Sequence, residues 1–153
     1  LLAAPLGAVT TSTFTVTAQI VAGCLVVGGV TSYGTLDYGS QSALSKALLS
    51  TSLGGSTVTF QCTPGVAMSM SVDGGQNSAS GTRNLKRTSG TQVLAYQLYR
   101  DAAYSQVLGI GQSVAVSYSD PTAIKLPVYG RVQLTGVLPA GTYTDVVQVT
   151  VTW

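Results

Sequence analysis

At 153 residues the chain has the length of one domain, long enough to bury roughly two-thirds of its unfolded surface. Charged residues make up 8% and hydrophobic residues 45%, a balance that excludes disorder, which needs high net charge and low hydrophobicity. A formal net charge of +2 is too small to carry an electrostatic case for nucleic acid. The chain has no histidine, and its acidic side chains are five aspartates.

Residues 1–8, Leu1-Leu2-Ala3-Ala4-Pro5-Leu6-Gly7-Ala8, read as the remnant of a secretory signal: a short apolar run, then small residues. Residues 9–23 follow as a leading segment. Within it Thr13 to Ile20 alternates polar and apolar with period two, which predicts a strand with Phe14, Val16, Ala18 and Ile20 on one face. Cys24 and Cys62 then open a compact region, 24–153. An even cysteine count in an oxidising compartment reads as one disulfide, worth about 3–4 kcal/mol by loop closure; the alternative is two buried thiols. Zinc does not fit, because there is no histidine and no CxxC pair.

Leu25-Val26-Val27 is a short apolar run stopped by Gly28-Gly29, and Tyr33-Gly34-Thr35-Leu36-Asp37-Tyr38-Gly39 is an aromatic segment punctuated by glycine. Residues 41–49 have the composition of one or two helical turns. Strands are predicted over 57–62, over 66–72 with Val66, Met68, Met70 and Val72 on one face, and over 93–99. Residues 75–91 read as a long polar loop carrying Arg83, Lys86 and Arg87 at a solvated edge. Val107-Leu108 and Val114 to Tyr118 flank Gly109-Ile110-Gly111. Residues 124–132 form a further strand, in which Pro127 argues for an edge or a bulge. Residues 139–145 turn into a last strand, with Val147, Val149 and Val151 on one face and Trp153 anchoring its end. The sum is about seven short strands with turn signals between them, an all-β sandwich.

Catalytic chemistry has little to stand on. Four of the five aspartates sit beside Gly, Pro or a predicted turn, where aspartate caps the backbone. Serine hydrolysis without histidine would need a lysine base, and no SxxK spacing occurs. No cofactor, metal site or enzyme activity is expected. Tyr33, Tyr38, Tyr96 and Tyr99 would be the residues of a sugar-binding platform, but core and sheet packing is the commoner use of tyrosine.

A strand to spare at the front, and none after the last, are expected of a subunit that lends a strand to its neighbour. The added strand would gain backbone hydrogen bonds and bury alternate side chains in pockets. The pattern alone leaves open whether 13–20 instead pairs within its own chain.

Several segments carry a family resemblance: Thr15 to Ile20 running to Gly23-Cys24, Tyr33 to Gly39, Val58 to Cys62, Val72-Asp73-Gly74-Gly75 and Arg83-Asn84-Leu85. Further on come Leu94 to Asp101, Val128-Tyr129-Gly130 and Ala140 to Asp145, continuing to Trp153. In this order, over nearly the whole chain, they resemble the spore coat protein U-type pilins of archaic chaperone–usher pili. Trp153 departs from the Phe or Tyr expected at that position. The resemblance implies an incomplete immunoglobulin-like sandwich, completed by a donor strand from a neighbouring subunit. It implies Phe14, Val16, Ala18 and Ile20 as the donor side chains and Cys24–Cys62 as a stabilising disulfide. The implied partners are copies of the chain in a fibre, a periplasmic chaperone, an outer-membrane usher and a tip adhesin subunit. The product would be a rod exported through the periplasm to the cell surface, serving adhesion and biofilm formation. The rivals are a tip adhesin, a secreted coat protein that completes its own fold, and a carbohydrate-binding module.

Overall fold

The computed structural model describes residues 11–29, 34–53 and 58–153. Among the described residues ten strands form: β1 (Cys24–Val26), β2 (Leu48–Leu53), β3 (Phe60–Cys62), β4 (Met68–Val72), β5 (Arg83–Arg87), β6 (Val93–Tyr99), β7 (Val114–Val116), β8 (Val128–Gln133), β9 (Tyr143–Thr144) and β10 (Val149–Thr152). They pair antiparallel in a five-stranded sheet of order β2-β8-β6-β5-β9, a three-stranded sheet of order β10-β4-β7 and the pair β1-β3. The all-β expectation holds.

The core lies where these sheets face each other. Met68, Met70 and Val72 point inward from β4 because a strand sends alternate side chains to one face. Leu94, Tyr96 and Leu98 do the same from β6, and Val128 and Val132 from β8. Leu108, Ile124 and Leu126 come from connecting segments and are among the most completely buried side chains. The predicted face of 66–72 is present, with Val66 packed at its margin.

Four expectations need correction. Residues 41–49 make no helix: a turn at 43–44 leads directly into β2. The leucines that mimic a helical repeat there instead alternate in exposure, with Leu48 exposed and Leu49 half-buried against the core. Residues 75–91 are not one surface loop, because β5 pairs with β6 on one side and β9 on the other. Arg83, read as solvated, is among the most buried residues of the chain at 4% exposure. Pro127 marks no edge: β8 begins one residue later and lies between β2 and β6. Proline at the position before a strand withholds no ladder donor, so a central strand can follow it.

The described part of the leading segment, residues 11–23, forms no strand. Residues 1–10, and Tyr33 and Thr57 among the residues discussed above, lie outside the described residues.

Candidate functional site

The leading arm is extended into solvent. Phe14, Val16 and Ile20 are 85%, 81% and 94% exposed, and no backbone ladder holds them among the described residues. Three large apolar side chains exposed within seven residues are unusual outside an interaction site. The arm is anchored at its root. The Gly23 amide donates to Thr63 Oγ1 at 3.2 Å, and the Thr63 amide donates to the Gly23 carbonyl at 2.9 Å. One residue further on, Cys24 and Cys62 are register partners across β1 and β3 and are joined by a disulfide with an S–S distance of 1.99 Å. The two-thiol alternative is thereby set aside.

The opposite feature is a groove. Between the segment 34–39 and the run from Asp145 to Val149, the two layers are not closed by a strand. Two cavities open beside this segment, a smaller one of about 250 Å³ facing Asp145 to Val149 and a larger one of about 680 Å³ facing residues 134–145. The larger is lined in part by Leu49, Leu94, Leu134 and Leu138, the smaller by Leu53, Leu98, Val128 and Val147. On one flank residues 34–39 run without a strand partner among the described residues. On the other, β10 pairs only with β4 among the described residues, which leaves its second edge open there. Val147, Val149 and Val151 are half-buried against the core, with Val149 and Val151 in β10 and Val147 just ahead of it. Trp153 remains 56% exposed and lies beside Gly23, near the root of the arm.

Polar groups brace the head of the groove. The Tyr96 hydroxyl donates to Asp145 Oδ2 at 2.6 Å, and Asp145 Oδ1 accepts from the Gln76 amide at 2.9 Å and Asn77 Nδ2 at 3.0 Å. Burial, reinforced by the Asp145 hydrogen bond, pushes the Tyr96 phenol well above its ordinary range. Gly75 has φ +79°, and a Cβ there would collide with Asp145, so only glycine lets this loop approach the carboxylate. Nearby, the Arg83 guanidinium donates to the carbonyls of Asp73 (2.8 Å), Leu108 (2.6 Å), Val72 (2.9 Å) and Gly109 (3.4 Å). Burial lowers its pKa, opposed by Tyr96, Asp73 and Asp145; an arginine nonetheless keeps its proton.

Of the tyrosines considered as a sugar platform, the three among the described residues, Tyr38, Tyr96 and Tyr99, do not share an exposed face. Tyr96 points into the core, Tyr99 is buried at the end of β6, and Tyr38 is inserted into the groove. Among the described residues no group of three His, Cys, Asp or Glu side chains is placed to hold a metal ion. Neither Asp145 nor Leu36, both groove residues, stood out in the sequence. Only the alternation of Leu36 and Tyr38 within 34–39 could have marked that segment as a flank.

The chain belongs to the Spore Coat Protein U domain family, whose model matches residues 10–150. This is a family of structural proteins, not of enzymes. The fold is also that of a chain in the CsuC–CsuE chaperone–tip adhesion subunit pre-assembly complex of the archaic chaperone–usher Csu pili of Acinetobacter baumannii, with TM-score 0.54 and 17% identity over 88% of this chain. A chain of a chaperone–tip adhesin complex of CFA/I fimbriae biogenesis aligns with TM-score 0.48 and 16% identity over 86% of this chain. The protein spans 40% and 41% of the lengths of those two chains. No curated protein sequence matches it.

Proposed function

We propose that the protein is a structural rod subunit of a chaperone–usher pilus, polymerising by donor-strand exchange. The observation that carries this reading is a pairing of opposites in one chain. Among the described residues, an exposed, period-two arm has no strand partner, and an apolar groove between two open edges lacks a strand. Inserting Phe14, Val16, Ala18 and Ile20 of one copy into the groove of the next satisfies both. Burial is worth about 1.5–3 kcal/mol for each large side chain, and main-chain hydrogen bonds to the flanks add to it. Before assembly a periplasmic chaperone fills the same groove, and an outer-membrane usher exchanges its strand for the arm of the next subunit. A tip adhesin subunit caps the fibre. The Cys24–Cys62 disulfide suits export through the oxidising periplasm to the cell surface, where the fibre serves adhesion and biofilm formation.

The test is size and shape after periplasmic expression without partners, by gel filtration and negative-stain microscopy, alongside a version lacking residues 1–22. Polymers of the full chain that disappear on truncation support strand exchange. A monodisperse monomer of the full chain refutes it and favours a coat protein that completes its own fold.

A further inference from the structure

The two cavities of the groove share the residues Thr35, Leu36, Tyr38, Leu85 and Asp145. Tyr38 is the largest of these, and its placement is unusual. Its hydroxyl is buried and has no hydrogen-bond partner among the described residues. Burial pushes the phenol well above its ordinary range. The ring reaches across to the inner face of β8, where its hydroxyl lies against Gly130; a Cβ at Gly130 would collide with it. β8 otherwise presents Val128 and Val132 to the core, so Gly130 is a gap in the floor that the tyrosine fills. A hydroxyl held without a partner is disfavoured by about 1–3 kcal/mol. Tyr38 is therefore placed for its length and bulk, as a wall standing from the flank to the floor between the two chambers.

The arm carries a matching irregularity. On its apolar face Phe14, Val16 and Ile20 are large, and Ala18 is small. At about 3.3 Å per residue, Val16 and Ile20 stand about 13 Å apart with Ala18 midway.

We propose that Tyr38 sets the register of the inserted strand: Ala18 of the incoming copy seats against the Tyr38 ring, and Val16 and Ile20 enter the chambers on either side. A slip of two residues drives Val16 or Ile20 onto the wall, which overpacks the groove. A slip of one residue turns the polar face inward. Among registers within two residues, only the one with Ala18 on the wall avoids both. The inference rests on the donor-strand reading above and adds to it a residue that makes one alignment better than its neighbours.

The test uses the full-length chain carrying Val16→Asp, which keeps the groove but has a crippled arm, titrated with a labelled synthetic peptide of residues 11–23. Failure of the native peptide to bind overturns the donor-strand reading itself. If it binds, an Ala18→Leu peptide is expected to bind roughly tenfold or more weakly, the fold-change that overpacking implies. An Ile20→Leu peptide is expected to stay within about threefold of native, because the swap conserves volume. An Ala18→Leu peptide that binds like the native one overturns the register while leaving strand exchange intact. Replacing Tyr38→Val in the chain is expected to restore the Ala18→Leu peptide selectively; no recovery in a folded variant overturns the assignment. A measurement that needs no change at Tyr38 uses a peptide labelled with ¹³C in the Ala18 methyl. A nuclear Overhauser contact from that methyl to the Tyr38 ring is expected. Contacts to other groove residues with none to Tyr38 overturn the proposal.

Discussion

Arg83 illustrates how a single residue changes meaning between sequence and structure. Beside Lys86 and Arg87 it reads as one of a solvated basic trio, yet its guanidinium is buried and bridges carbonyls from the end of β4 and from the Leu108–Gly109 turn. Five donors in a rigid fork make this possible, and a lysine ammonium cannot reproduce it. Arg83→Met leaves those carbonyls unpaired, so we expect a loss of about 3 kcal/mol or more in urea unfolding. Arg83→Lys is expected to recover only part. Asp101 acts at the surface through the same chemistry. The Ser105 hydroxyl first, then the Gln106 and Ser105 amides, hold its carboxyl below the usual carboxylate range. A depressed folded pKa means that the stabilisation is present above the ordinary aspartate value of about 3.9 and lost as pH falls through the lower folded value. Amide exchange at Ser105 and Gln106 is therefore expected to rise only in that acidic window. Asp101→Asn should abolish the acid-dependent step.

The elements that were legible in the sequence are those whose inner face is mainly apolar. β4 and β6 alternate cleanly, because Met68, Met70 and Val72, and Leu94 and Leu98, meet only other apolar groups. β5 was hidden because two of its buried positions are Arg83 and Asn84, whose polar atoms are satisfied by carbonyls distant in sequence or outside the strand. No local pattern records those partners. β2 was hidden because Leu44, Leu48 and Leu49 recur at helical as well as strand spacing, and pairing with β8 decided the outcome. The groove was legible only by inference: an excess strand at the front was visible, but its flanks at 34–39 and 145–149 come together only in the fold. The pair β1-β3 depends most on its covalent tie, since three residues a side make a short ladder. Changing Cys24 and Cys62 together to serine is expected to lower unfolding free energy by about 4 kcal/mol by the loop-closure estimate. Denaturant titration of the pair variant checks it, and unchanged stability refutes a structural role for the bond.

At the scale of the whole molecule, fold and assembly draw on the same free energy. A domain of ordinary stability has about 5–15 kcal/mol to lose. Burying Phe14, Val16 and Ile20 of a neighbour contributes about 1.5–3 kcal/mol each before ordering costs, so an inserted strand rivals the fold it completes. The Val16→Asp chain, supplied with the peptide of residues 11–23, separates the two contributions. A ligand that binds only the folded state stabilises it by mass action, about 4 kcal/mol at a thousandfold excess over Kd. At roughly 2–4 °C per kcal/mol for a chain of this size, Tm should rise by about 8–16 °C. The rise should continue logarithmically with peptide concentration, and a peptide carrying Val16→Asp should give little of it, because an unpaired carboxylate would have to enter the groove. A Tm indifferent to the native peptide would mean that the groove is already closed in solution, and that the arm finds its partner somewhere other than between residues 34–39 and β10.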